Sequence, residues 1–143
     1  MITQFRHAGI CVTDLKASLA FYRDLLGFEI QKQMEESGIT LDRILDLKDV
    51  RVTTVKMTAP GGGMIELLQF HSHPEKVTTL SRPSNIGTTH IALTVKDMDE
   101  TYKKLIENGI RFNSPPQLSA DGRVKVTFCR DPDGTLIELV EVL

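Results

Sequence analysis

Apolar residues along this chain follow two rhythms, and each change of rhythm marks the boundary of an element. Residues 5–12 alternate weakly between apolar and polar side chains, which predicts a strand. Asp14 then stands where a helix N-cap belongs, and Leu15, Leu19, Tyr22, Leu25 and Leu26 recur at helical spacing up to Gly27, a common left-handed cap. Phe28 to Met34 reads as a strand, Glu35-Glu36-Ser37-Gly38 as a turn, and 40–47 as a short helix carrying Leu41, Ile44, Leu45 and Leu47. A strand near 51–58, a Pro60-Gly61-Gly62-Gly63 turn and a strand at 64–70 follow.

The same order then recurs. A strand is expected at 89–95, a helix from about 98 to 108 ending at Asn108-Gly109, and a strand near 110–113. A loop with Pro115-Pro116 and Asp121-Gly122 precedes a strand at 123–129, a tight Asp131-Pro132-Asp133-Gly134 turn and a last strand at 135–142. Residue identities support a duplication. Residues 7–24 laid on 90–107 match His7/His90, Val12/Val95 and Asp14/Asp97 without a gap. Residues 51–68 laid on 123–140 match at seven of eighteen positions, among them Pro60/Pro132, Gly62/Gly134 and Glu66/Glu138. Self-similarity of this kind marks a repeated supersecondary unit. The expected organisation is one domain over 1–143, with module 1 at 1–70, a polar Pro-containing linker at 71–88 and module 2 at 89–143, each module β-α-β-β-β. The 40–47 helix is an insertion in the first module.

Strand alternation sorts side chains between faces. Around Glu138, Leu136 and Val140 share its side, while Ile137 and Leu139 face the other way. Around His90, Ala92 and Thr94 share its side, and Ile91, Leu93 and Val95 point oppositely. A carboxylate within an apolar strand requires a partner, because burying it alone is costly. His7 and His90, Glu66 and Glu138 occupy matching places in the repeat, so pairing of the halves about a pseudo-two-fold axis brings all four toward one point. Taken singly, a strand histidine is more often structural and a strand glutamate often faces water; recurrence in both halves favours a divalent-metal site. His71 and His73 have no counterpart in the second half and read as linker residues.

Composition narrows the function. The chain has 143 residues, 41% hydrophobic and 25% charged, with a net charge of −2, as expected of a soluble globular domain. That balance leaves no basic footprint for nucleic acid. No apolar run approaches bilayer length and the N-terminus lacks a signal-peptide pattern, so a cytoplasmic protein without a membrane partner is expected. Cys11 and Cys129 read as buried thiols in a reducing compartment. Phe5, Phe21, Phe28, Met57 and Phe70 read mostly as core, and Arg6, Arg51 and Arg123 as solvated charges.

Two imidazoles with two carboxylates suit zinc, nickel, cobalt or manganese, and the lack of thiolate ligands argues against a purely structural zinc. Such an ion polarises a carbonyl and acidifies the carbon beside it. One glutamate, loosened from the ion, is then placed to remove that proton, giving an enediolate.

These residues give the chain a family resemblance. The His7 strand leading into Val12-Thr13-Asp14-Leu15, the run Phe21-Tyr22-Arg23-Asp24-Leu25-Leu26-Gly27-Phe28, the segment Gly87-Thr88-Thr89-His90-Ile91-Ala92 and the segment Asp131 to Leu139 resemble the vicinal oxygen chelate (glyoxalase/bleomycin resistance/dioxygenase) superfamily. The resemblance is to glyoxalase I (lactoylglutathione lyase)-like members. It implies an α+β fold of two tandem βαβββ modules forming a U-shaped cleft, frequent homodimers, and the metal ligands His7, Glu66, His90 and Glu138. It also implies that Glu138 and Glu66 act in proton transfer, and that nickel or cobalt is the favoured ion. Many glyoxalase I sequences carry Arg four residues after the first His and Asn four after the first Glu, both serving glutathione; Cys11 and Phe70 stand there in this chain. The expected activity is that of a metal-dependent carbon–sulfur lyase or isomerase acting on a small carbonyl or thioester substrate. The alternatives are a methylmalonyl-CoA epimerase-like racemase, a ring-cleaving dioxygenase and a drug-sequestering resistance protein.

Overall fold

In the computed structural model, which describes residues 1–75 and 80–143, the chain divides into two compact units, Met1–Val77 and Thr78–Leu143. The first contains β1 (Ala8–Cys11), α1 (Leu15–Leu19), β2 (Glu29–Ser37), α2 (Ile39–Leu45), β3 (Arg51–Thr58) and β4 (Met64–Phe70). The second contains β5 (His90–Thr94), α3 (Met98–Glu107), β6 (Gln117–Leu118), β7 (Val124–Arg130) and β8 (Leu136–Val142). Part of the expected linker, 76–79, lies outside the described residues.

Both units build the same four-stranded mixed sheet. The orders are β1-β4-β3-β2 and β5-β8-β7-β6, with the first pair parallel and the others antiparallel. The duplication read from the sequence is therefore a duplication of topology, in an α+β arrangement. The helices begin alike too. Asp14 and Asp97 hold nearly identical extended backbones (φ −136°, ψ 102° and φ −139°, ψ 109°). The Asp14 carboxylate accepts hydrogen bonds from the amides of Lys16 and Ala17, and that of Asp97 from Glu100, satisfying donors that a helix start leaves unpaired.

One helix in each unit packs on its sheet, α1 against β4 and α3 against β8. The covered strands alternate as a one-sided core requires: Ile65 and Leu67 are buried while Glu66 between them is only partly so, and Ile137 and Leu139 are buried around Glu138. The first core also takes Ile10, Val12, Val55, Met57 and Phe28, the second Met98, Leu105 and Cys129.

The structure departs from the sequence reading at several points. The first helix changes winding after Leu19 and continues as a π-helical turn, Ala20–Leu25. Amides there bond five or six residues back (Leu26 N to Phe21 O, 3.1 Å; Phe28 N to Tyr22 O, 2.9 Å). Phe21 and Tyr22 are both buried and stack edge to face, 4.9 Å apart. Glu35 to Ser37 is strand rather than turn, because Glu35 and Glu36 accept hydrogen bonds from the hydroxyls of Thr53 and Thr54 on β3 (both 2.7 Å), leaving only Gly38, at φ 108°, to break the run. Residues 110–113 form a single bridge, Phe112 to Cys129, and the edge strand is β6, beyond Pro115-Pro116. Pro cannot donate to a ladder, so pairing resumes only after it. Phe5 is exposed and Phe70 partly exposed, whereas Phe21, Phe28 and Met57 are core. The inserted helix α2 buries none of its residues. Among the described residues no helix is long and apolar enough to cross a membrane.

Candidate functional site

A parallel strand pair places each histidine beside a glutamate. Gly9 lies opposite Glu66 on β1 and β4, and His7, two residues earlier, shares the face of Gly9. Ala92 lies opposite Glu138 on β5 and β8, with His90 again two residues earlier. The registers are identical, and so is the resulting geometry. His7 Nε2 lies 3.1 Å from Glu66 Oε2, and His90 Nε2 lies 3.1 Å from Glu138 Oε2. The four site residues inferred from the sequence are thus found as two equivalent pairs, one in each unit. Among the described residues no group of three or more His, Cys, Asp or Glu suited to a metal ion is present.

The surroundings of the pairs differ. Glu66 and His7 side chains are 14% and 25% exposed, against 24% for Glu138 and 49% for His90. Glu66 has a second partner, Lys56, whose Nζ is 3.5 Å from Oε1. Lys56 lies directly opposite Glu66 in the β3–β4 register. Phe128 holds the equivalent place opposite Glu138 and packs edge to face on the His90 ring, with centroids 5.4 Å apart. His7 Nδ1 is buried without a hydrogen-bond partner among the described residues. Packing and Glu66 therefore orient that ring, with no acceptor behind it of the kind that usually backs a metal-binding imidazole.

The donors suit a divalent ion chemically: imidazole nitrogen and carboxylate oxygen serve zinc, nickel, cobalt and manganese. The 3.1 Å separations also lie close to the roughly 3 Å between two donors held at right angles on one ion by bonds of about 2.1 Å.

Lys56 is the site residue that sequence reading missed. The ungapped match of 51–68 with 123–140 sets Lys56 against Phe128, and the register puts both opposite the shared glutamate on the antiparallel neighbour strand. Cys11 and Phe70, each four residues beyond a site residue, fall on the same face as His7 and Glu66 by alternation. Both cysteines are free; Cys129 is buried as expected, and Cys11 is exposed, which corrects the expectation of a buried thiol. Desolvation raises the Cys11 thiol above its ordinary value and pushes that of Cys129 up to about 12, so neither is a thiolate nucleophile near neutral pH. His71 and His73 are engaged locally, His71 Nε2 with Thr53 Oγ1 and His73 Nδ1 with Ser72 Oγ, each at 2.7 Å.

Comparison with known proteins places the chain in a family. The model of the Glyoxalase/Bleomycin resistance protein/Dioxygenase superfamily matches residues 4–139. The chain is 29% identical to the uncharacterised protein YaeR of Escherichia coli (98% of this chain, 97% of YaeR). It is 30% identical to an ethylmalonyl-CoA/methylmalonyl-CoA epimerase of Cereibacter sphaeroides (99% and 100%) and 28% identical to a probable lactoylglutathione lyase of Synechocystis (94% and 92%). Among solved structures, a glyoxalase family protein from Bacillus cereus superposes with a TM-score of 0.89 at 23% identity, covering 100% of this chain and 96% of that one.

Proposed function

Because the chain belongs to the Glyoxalase/Bleomycin resistance protein/Dioxygenase superfamily, we propose that it is a metal-dependent lyase or isomerase of the glyoxalase I type, acting on a small carbonyl or thioester compound. His7, Glu66, His90 and Glu138 are the residues that would together hold one divalent ion, with nickel, cobalt, zinc and manganese as the candidates, in a homodimer. The observation that carries this reading is the repetition of one His–Glu pair, in the same register and at the same 3.1 Å, in both halves. When bound, the ion supplies Lewis acidity that makes a carbon–hydrogen bond beside a carbonyl easier to ionise.

The chain's own residues divide the remaining work. Glu66 is tied to both His7 and Lys56 and is the less exposed carboxylate, which suits a fixed ligand. Among the described residues Glu138 has only His90 as an ion-pair partner, and it is more open, which suits a general base. Its carboxylate takes the proton from the carbon beside the carbonyl, and the carboxylic acid so formed returns it to the neighbouring carbon. Cys11 and Phe70 give the first unit's face an uncharged end, which favours substrates other than glutathione adducts.

The test is metal analysis of the purified protein, then turnover of the methylglyoxal–glutathione hemithioacetal after reconstitution with nickel, cobalt and zinc. Bound metal with turnover supports a glyoxalase. Bound metal without turnover keeps the ion site and moves the search to other enolisable compounds. Absence of metal under every reconstitution overturns the reading. An acyl-CoA epimerase is the second reading, favoured by the 30% identity to an epimerase along the whole chain. Deuterium exchange into methylmalonyl-CoA distinguishes it.

A further inference from the structure

The face of the first sheet that carries His7 and Glu66 also carries two lysines. Lys56 on β3 is paired with Glu66 on β4, and Lys32 on β2 is paired with Lys56. Residues directly opposite on antiparallel strands share a face. His7, Glu66, Lys56 and Lys32 therefore form a row across the sheet in its spatial order β1-β4-β3-β2. Strands in a sheet lie about 4.8 Å apart, so the row spans the length of a small metabolite.

We propose that Lys56, supported by Lys32, is the specificity-determining residue of this site and selects a substrate carrying an anionic group, a carboxylate or a phosphate, close to its reactive carbonyl. The proposal rests on reading the His7/Glu66 face as the substrate face. Three observations carry it. First, the Lys56 ammonium has three protons to donate, yet its ion-pair partner Glu66 lies at 3.5 Å, beyond the usual 2.7–2.9 Å of a charge-assisted hydrogen bond. A carboxylate committed to a divalent ion balances Lys56 still less, leaving a positive charge for an anion to match.

Second, like charges directly opposite one another destabilise a sheet, so folding alone does not favour Lys32 facing Lys56. Of the carboxylates that the register adds to this face, Glu36 is engaged by the Thr54 hydroxyl at 2.7 Å, and Glu29 stands at the start of β2 opposite Thr58, one strand step away from the two lysines. Third, the cation belongs to one unit only. Phe128 fills the equivalent position beside Glu138, so the duplicated scaffold does not itself demand a lysine.

Two measurements test this. In isotopically labelled, metal-free protein, millimolar methylphosphonate and acetate are titrated separately while backbone amide resonances are followed. Saturable shifts at Lys32 and Lys56 are expected, abolished in Lys56→Met and retained in Lys56→Arg. A response to methylphosphonate alone identifies a phosphate site, and a response to acetate alone a carboxylate site. In the cobalt-loaded protein, succinic monohydroxamate is compared with acetohydroxamate, the same chelating head without the distal carboxylate. A preference of about ten- to hundred-fold for the charged compound is expected, and Lys56→Met removes it, read as the ratio of the two affinities within each protein. An equal preference in wild type and Lys56→Met, or anion shifts that survive Lys56→Met, overturns the proposal. If no cobalt is taken up, the metal reading fails by itself, and the anion titration alone decides the role of Lys56.

Discussion

Glu66 and Glu138 are matched in sequence, register and distance to histidine, yet their neighbours give them unequal freedom. Lys56 stands opposite one and Phe128 opposite the other. Under the proposed mechanism, replacing a ligand and replacing the base should fail differently. His90→Ala is expected to lose both metal and activity while the circular dichroism spectrum stays native, since His90 is half exposed and its removal leaves no deep cavity. Glu138→Gln keeps the shape and an oxygen donor but no longer accepts a proton, so kcat should fall about 10²–10⁴-fold with metal still bound. Undiminished turnover in Glu138→Gln would remove Glu138 from the base role, and full metal content in His90→Ala would remove His90 from the ligand set. At this scale the His and Glu identities were legible because they recur. Lys56 was not, because its meaning appears only once the β3–β4 register sets it opposite Glu66.

Elements bounded by strong local chemistry were readable from the sequence, and those decided by cross-strand contacts were not. Asp14 was recognisable as a cap because its carboxylate acts on amides two or three residues ahead, and Asp97, its match in the repeat, acts likewise. Asp97→Ala should therefore cost about 1 kcal/mol of stability, measured as a lower urea midpoint at unchanged slope. A loss below about 0.3 kcal/mol would mean that tertiary packing of α3, rather than its cap, sets where the helix begins. By contrast, Glu35 and Glu36 looked like turn residues because two adjacent carboxylates are poor strand formers. The hydroxyls that hold them belong to Thr53 and Thr54, 18 residues away. The π-helical turn was equally hidden: Leu19, Tyr22 and Leu25 recur closely enough to a helical period for the spacing to fit an unbroken helix.

For the whole molecule, the duplication has a consequence that neither half carries alone. A two-residue His–Glu pair is a poor metal site, and two such pairs acting on one ion are a good one, so ion stoichiometry separates these arrangements. One ion per chain is expected if the pairs act together, and two weak sites per chain if they act separately. Stability provides the matching measurement. A ligand held only by the native state at 100 times its dissociation constant adds about 2.7 kcal/mol, so nickel or cobalt should raise Tm and a chelator should return it to the metal-free value. If both halves serve one ion, Glu66→Ala in the first unit and His90→Ala in the second should each abolish the whole increment. The effects should then be non-additive, the double variant being no worse than either single one in its response to metal. If each pair binds its own ion, each single variant should keep about half of the increment. That outcome would leave the family membership untouched and remove the shared metal centre from the mechanism.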